Sequence, residues 1–307
     1  MVLSSALIVY KMSSDELMMC FCASCGIAEV DEIKLNECDD CDLVRYCSDK
    51  CQQDHRPQHD AICKERAAEL RDEILFKQPE RTNVGDCPIC FLPLPLDKQK
   101  SMMNSCCSKI ICKGCVYADM MRDKKVDYSC PFCRKMIPDT EREQYKDVMK
   151  RATANDSFAM ILLGVRCYSK GDFRGAFKHY KKAAELGNVD AHYHLSLLYL
   201  MGEGVEKDEE KRAYHLEEAA IGGHPEARYH LAAIEQQNGR EVERRVKHLI
   251  IGANLGYSQS IQALKTCYKD GLVSKEEFAT ALRGHQAAVD ATKSPQREAG
   301  EKALAQF

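Results

Sequence analysis

Eight pairs of cysteine and histidine ligands crowd the segment between Cys22 and Cys133, using fifteen of the chain's eighteen cysteines and one histidine. They come as two successive groups of four. The first is Cys22-x-x-Cys25, Cys38-x-x-Cys41, Cys47-x-x-x-Cys51 and His59-x-x-x-Cys63. The second is Cys87-x-x-Cys90, Cys106-Cys107, Cys112-x-x-Cys115 and Cys130-x-x-Cys133. A two-residue gap lets both thiolates of a tight turn reach one tetrahedral ion at ~2.3 Å, so the pattern points to structural zinc. Residues up to about 135 are therefore expected to fold around metal instead of a large apolar core.

Disulfide frameworks belong to short secreted chains with a signal peptide. The apolar stretch Val2 to Tyr10 lacks a basic n-region and a small-residue cleavage site, and it is too short to span a bilayer. It reads as a weak targeting segment, a buried helix turn or a disordered leader, the last being the expectation for residues 1–19. No other stretch is apolar enough for a membrane span, so the expectation is a soluble protein of the cytoplasm or nucleus with no membrane partner. The formal charge of -3 counts every cysteine as neutral, whereas ligating cysteines are thiolates. With four Zn²⁺ and a neutral His59, the loaded chain comes to about -10. Without a concentrated basic run, such a chain is poorly suited to phosphate backbones. Protein, not nucleic acid, is the expected partner.

Residues 22 to 63 resemble a MYND-type zinc finger at all eight ligand positions and along Arg45-Tyr46-Cys47-Ser48-Asp49-Lys50-Cys51-Gln52. The resemblance implies interleaved ligands, with Cys22, Cys25, Cys47 and Cys51 on one zinc and Cys38, Cys41, His59 and Cys63 on the other. It also implies binding of short proline-containing peptides. The segment from Asp49 to Ala68 is helix-compatible, which places His59 and Cys63 on one face at i, i+4. His55 lies outside the ligand spacing and reads as a surface residue; Cys20 reads as a bystander thiol.

The second group resembles an all-cysteine RING finger of the kind found in the ubiquitin ligase subunit of the CCR–NOT complex. The carrying residues are Cys87-Pro88-Ile89-Cys90, Cys107-x4-Cys112-Lys113-Gly114-Cys115 and Cys130-Pro131-Phe132-Cys133-Arg134. The resemblance implies one zinc on Cys87, Cys90, Cys112 and Cys115, and another on Cys106, Cys107, Cys130 and Cys133. Adjacent Cys106 and Cys107 depart from the pattern, because neighbouring side chains diverge in an extended chain. Both reach one ion only through a sharp turn; otherwise Ser105, Asn104 or a water replaces one thiolate, with Cys107 at the better spacing. A RING also implies a ubiquitin-conjugating enzyme as partner, with Ile89 and Pro131 as apolar contacts and Arg134 as the cation that orders its thioester. Arginine suits that role because its fork bridges two carbonyls. Against activity stands Asp119, four beyond Cys115, where active RINGs often carry a large apolar residue.

From Ser157 onward the cysteine spacing gives way to a repeat. Ala184, Ala220 and Ala253 are 36 and 33 residues apart, and Gly187, Gly223 and Gly256 keep the same register. Each glycine is followed by Ala191, Ala227 or Ser260, then Leu195, Leu231 or Leu264, with Tyr199, Glu235 and Tyr268 next in the column. An i+4 column of small and apolar residues is one helix face, and a preceding glycine is a helix stop. The unit is a helix–turn–helix, the signature of an α-solenoid. It resembles Sel-one-like repeats, cousins of the tetratricopeptide type, through Leu163-Gly164, Ala183-Ala184-x-x-Gly187, Gly202-Glu203-Gly204-Val205 and Ala219-Ala220-x-x-Gly223. His179, Tyr180, Tyr193 and His194 alternate along helix faces and are read as lining a concave groove or, for most of them, as packing between repeats; Cys167 and Cys267 are read as buried, inert thiols. Ser274 and Glu277 form a capping-box pattern that starts a helix to about Thr292.

The expected fold is multidomain: two small zinc-stapled α+β modules followed by an all-α solenoid. The boundaries are a leader over 1–19, a MYND-type finger over 20–66, a charged helical linker over 67–84 and a RING-like finger over 85–138. A linker helix follows over 139–156, then repeats over 157–272, then a capping helix and fraying polar tail over 273–307. The expected function is a RING-type ubiquitin ligase that recruits substrate through the repeats and the MYND finger. The alternative is a non-catalytic adaptor whose modules each bind protein.

Overall fold

The computed structural model describes residues 21–122, 129–237, 239 and 242–304. The expected leader over 1–19, with Val2 to Tyr10, and Cys20 lie outside the described residues. The chain divides into two compact units, Met1–Leu75 and Phe76–Phe307.

In the first unit, β1 (Asn36–Glu37) pairs antiparallel with β2 (Arg45–Tyr46), Asn36 facing Tyr46 and Glu37 facing Arg45. Helix α1 (Asp49–Leu75) follows directly and runs on past Pro57. It continues through much of the segment expected to be a separate linker helix. Its buried face is narrow: His59, Cys63 and Leu75. The core of this unit is Cys22, Leu35, Cys38, Cys41, Val44, Tyr46 and Cys63, so ligand sulfurs occupy the place that aliphatic side chains take in a larger domain. Arg66 on α1 grips both carboxylate oxygens of Asp42, at 2.8 and 2.9 Å, and ties the Cys38–Cys41 turn to the helix.

The second unit opens with the second cysteine group. Strands β3 (Ser101–Met103) and β4 (Ile110–Cys112) form a hairpin with Met102 opposite Ile111, and α2 (Lys113–Arg122) leaves β4 at once. Cys87, Leu94, Ile111, Cys112 and Cys115 make its small core. Helix α3 (Glu141–Thr153), capped by Thr140, leads into the helical array.

That array is α4 (Ser157–Ser169), α5 (Phe173–Glu185), α6 (Val189–Met201), α7 (Glu209–Ile221), α8 (Pro225–Gln237), α9 (Val242–Asn254), α10 (Ser258–Lys269) and α11 (Lys275–Ala291). Successive helices pack on one another, and the starts are set chemically. Asp156, Asp172, Asn188 and Asp208 each accept the backbone N–H three residues on, satisfying donors that the helix leaves orphaned. The capping box forms as written: Ser274 and Glu277 exchange hydrogen bonds of 2.9 and 3.2 Å. Gly187, Gly223 and Gly256 all adopt positive φ, near 80°, at the turns between helices. Ala191, Ala227 and Ser260, then Leu195, Leu231 and Leu264, are all buried, as a shared helix face requires. Glu235, the odd member of the next column, is buried and paired with Arg244 at 3.0 Å.

Much of the segment expected to fray is helical, residues 305–307 lying outside the described residues. Residues Pro295–Leu304 form a further helix, α12, that packs against α2 and buries Arg297 and Gly300. Two small residues make this possible. A Cβ on Gly114 would lie 2.6 Å from the Cα of Arg297, and one on Gly300 would lie 2.7 Å from the Cα of Gly114. The two backbones approach as only glycine permits.

Candidate zinc centres

The ligand side chains converge into four tetrads: Cys22, Cys25, Cys47 and Cys51; Cys38, Cys41, His59 and Cys63; Cys87, Cys90, Cys112 and Cys115; Cys106, Cys107, Cys130 and Cys133. Within each, the donor atoms all lie within 4.8 Å of one another. A zinc ion with bonds of ~2.3 Å sets its sulfurs ~3.8 Å apart. The measured separations include 3.5 Å for Cys25–Cys47, 3.7 Å for Cys38–Cys63, 3.8 Å for Cys90–Cys112 and 3.5 Å for Cys107–Cys130. No disulfide joins the described cysteines. The donor chemistry and the spacing fit zinc, four ions per chain, two in each module.

Local backbone explains how each turn presents its ligands. Gly26, Phe91 and Arg134, each just after a Cys-x-x-Cys pair, have φ of 75°, 56° and 55°. Each donates its N–H back to the first cysteine of the pair, at 2.8 to 2.9 Å. The left-handed residue folds the chain so that both sulfurs face one point. It costs nothing at Gly26 and on the order of 1–3 kcal/mol at Phe91 and Arg134.

The adjacent pair uses the same device with a shifted frame. Ser108 has φ of 53° and donates to the Asn104 carbonyl at 2.8 Å, so Asn104 opens this turn. Cys106 lies 3.3 Å from Cys133, and Cys107 lies 3.5 Å from Cys130. Both neighbours thus enter the tetrad. Asn104 is spent on the turn itself, its amide reaching the Lys109 carbonyl at 3.4 Å. Arg151 on α3 braces the loop by donating to Ser108 Oγ at 2.9 Å and the Cys106 carbonyl at 3.3 Å, and it also pairs with Asp156.

In each tetrad one thiol is lowered (Cys22, Cys38, Cys87 and Cys130), whereas Cys25, Cys41, Cys47, Cys63, Cys106, Cys107, Cys112 and Cys115 are raised. Burial raises the Cys22 and Cys87 thiols, but backbone hydrogen bonds outweigh it and bring them down to about 6 and about 7. The donors are at Cys25, Cys47 and Ser24 for Cys22, and at Cys112, Cys90 and Ile89 for Cys87. His59 is held below its ordinary value, first by burial and then by His55, and a neutral imidazole is what a metal needs. Its Nε2 lies 3.3 Å from Cys41 Sγ.

His55 is not the free surface residue that its spacing suggests. Its ring stacks on that of His59 and its Nδ1 meets the hydroxyl of buried Tyr46 at 2.9 Å. Arg297, which sequence reasoning missed, is 3 % exposed and points its Nη2 at Cys90 Sγ, 3.3 Å away. Burial pulls its pKa down, but the thiolates of Cys90 and Cys112 outweigh that and leave it raised. In the helical array, Tyr180 stacks on His194 across the boundary between α5 and α6, while Tyr193 stacks on His224 in the turn between α7 and α8 and its hydroxyl meets His230 on α8 at 3.3 Å. Cys267 is buried, whereas Cys167 is half-buried; burial raises both thiols.

The residues expected to meet a conjugating enzyme are accessible. Ile89 is 39 % exposed, Pro131 is half-buried and Arg134 is exposed. Asp119 forms an ion pair with Arg122 at 3.1 Å on α2. No helix among the described residues is long and apolar enough to cross a membrane.

Comparison with known proteins agrees with two of the modules. The MYND finger family model matches residues 22–63, and the Sel1 repeat model matches 157–188 and 189–224. The chain carries a MYND finger and Sel1 repeats. Both kinds of module mediate protein–protein interactions. Over 175 residues the chain is 26 % identical to mouse DAP3-binding cell death enhancer 1, covering 44 % of this chain and 34 % of that protein. Over 128 residues it is 30 % identical to chitin synthase regulatory factor 2 of Schizosaccharomyces pombe, covering 38 % and 25 %. It therefore spans about a third and a quarter of the lengths of these relatives. Among solved structures, a Sel1 repeat protein from Oxalobacter formigenes is 27 % identical with a TM-score of 0.43, covering 49 % of this chain and 66 % of that one. The antigen c5321 of uropathogenic Escherichia coli, which displays an SLR fold, is 20 % identical with a TM-score of 0.40, covering 55 % and 37 %.

Proposed function

We propose that this chain is a zinc-stapled adaptor that joins proteins and performs no chemistry itself. One observation carries the reading: every tetrad supplies four protein donors, which fill a tetrahedral ion and leave no position for water or substrate. The zinc ions then serve folding, and what remains at the surface is binding area. The Sel1 repeats and the MYND finger are each read as a protein-binding surface, the finger taking short proline-containing peptides. The mouse relative is named for binding a protein and the yeast relative for regulating an enzyme, which accords with this role. Fifteen reduced ligand thiols suit the cytoplasm or nucleus.

A second reading keeps the RING-like finger as a ubiquitin ligase, favoured by the exposure of Ile89 and Arg134. Asp119, engaged by Arg122 on α2, weighs against an apolar groove there. The two separate cleanly. Zinc-loaded full-length protein is mixed with a panel of ubiquitin-charged conjugating enzymes and, separately, with an array of proline-containing peptides. The adaptor reading expects peptide binding and no acceleration of ubiquitin discharge. Acceleration that falls in Ile89→Ala and Arg134→Ala, with zinc content unchanged, replaces it with the ligase.

A further inference from the structure

We propose that Arg297 is the positioning cation of the Cys87, Cys90, Cys112 and Cys115 zinc centre, so that the C-terminal helix α12 controls how firmly this one metal is held. A zinc ion with four thiolates carries a net charge of about -2, and burying it without a counter-charge is expensive. Arg297 is itself almost fully buried. Its four terminal N–H groups are all engaged. Nη1 donates to the carbonyls of Pro93 at 2.6 Å and Thr292 at 2.7 Å; Nη2 donates to the Leu92 carbonyl at 3.0 Å and to Cys90 Sγ. The planar fork thus reads the loop just after the Cys87–Cys90 pair and a ligand sulfur at once, which a lysine ammonium cannot reproduce.

Three further residues bring the helix to that place. Gln296 donates to the Gly114 carbonyl at 3.3 Å and reaches Cys115 Sγ at 3.8 Å. Gly300 meets the backbone of Gly114, between the third and fourth ligands. Glu301 pairs with Lys100 at 2.9 Å, beside the β3–β4 hairpin. The helix therefore touches Cys90 and Cys115 through side chains and the Cys112–Cys115 turn through its backbone. At the neighbouring tetrad, Arg151 donates to the Cys106 carbonyl and to Ser108 Oγ. Outer partners of metal ligands are worth roughly 10- to 100-fold in metal affinity.

The test is site-resolved. Zinc-loaded protein receives a pulse of chelator and then a thiol-alkylating reagent, and peptide mapping reports which cysteines have lost their ion. In Arg297→Met, Cys87, Cys90, Cys112 and Cys115 are expected to label about 10-fold faster, while the other three tetrads keep their wild-type rates. Arg297→Lys, with charge but no fork, falls between the two. Gly300→Ala leaves the guanidinium intact but forces the helix away from Gly114, and it should free the same four cysteines sooner. This second variant carries the test if Arg297→Met does not load zinc. Wild-type labelling in both Arg297→Met and Gly300→Ala overturns the proposal. So does equal acceleration in Arg297→Lys and Arg297→Met, which marks the residue as packing alone.

Discussion

The imidazole of His55 lies flat against that of His59, with ring centroids 5.6 Å apart and 13° between their planes. One turn of α1 separates them, so a residue outside the ligand spacing fixes the orientation of the ligand itself. Tyr46, buried at the end of β2, completes the arrangement by its hydrogen bond to His55. His55→Ala should leave the fold in place while weakening zinc at the Cys38, Cys41, His59 and Cys63 tetrad, about 10-fold by analogy with other outer partners. Competition with a metal-binding dye reads this directly, and unchanged affinity would show that the stacking is incidental.

Metal analysis of the purified protein should return about four zincs per chain, and Cys106→Ala and Cys107→Ala should each return about three. Both sulfurs stand within the tetrad, at 3.3 and 3.5 Å from Cys133 and Cys130. A variant that still holds four ions would mean that Ser105, Asn104 or water substitutes for that thiolate.

Gly164 on α4 faces the ring of Tyr180 on α5, and an added Cβ would overlap that ring. Tyr180 is itself buried and stacked on His194, so it has nowhere to retreat. Gly164→Ala should cost about 1–3 kcal/mol through overpacking, despite alanine's better helix propensity. Denaturant unfolding followed by circular dichroism measures it; a stabilised variant would contradict the packing.

Acid should loosen the helical array. Burial depresses His194 and His215 to about 4 and His224 and His248 to about 3, with nearby Lys98, His192, His194 and Arg228 adding to it. Each binds its proton less readily folded than unfolded, where the value is near 6.5. Their contribution is therefore whole above pH 6.5 and is lost as pH falls from there towards 4 for His194 and His215 and towards 3 for His224 and His248. A tenfold change in proton affinity is ~1.4 kcal/mol, so the combined loss is on the order of several kcal/mol. Thermal unfolding between pH 7.5 and 5 should show a falling midpoint, and His194→Phe, which keeps the stacking ring, should flatten the slope. An equal slope in that variant removes His194 from the account.

Much of the architecture is written along the chain, because it depends on neighbours in sequence. Ligand pairs two or three residues apart, a glycine at each repeat turn, Asp and Asn at helix starts and the Ser274–Glu277 box are local devices, and local devices leave a readable spacing. The repeat column was legible for the same reason, and its exception, Glu235, has a partner one helix away in Arg244.

What only the tertiary structure decided lies between residues remote in sequence. Arg297 and Cys90 are 207 positions apart, and Gly114 meets Gly300 across a similar interval. Neither pair has a period or a motif. A lone arginine in a polar tail reads as solvated, and a glycine near a chain end reads as a break. The metal centres could be counted from the spacing of their ligands, since each thiolate's neighbour is a few bonds away. The helix that closes over one of them could not, because its position is set by close backbone approach and by a buried charge that exists only once the zinc module has folded.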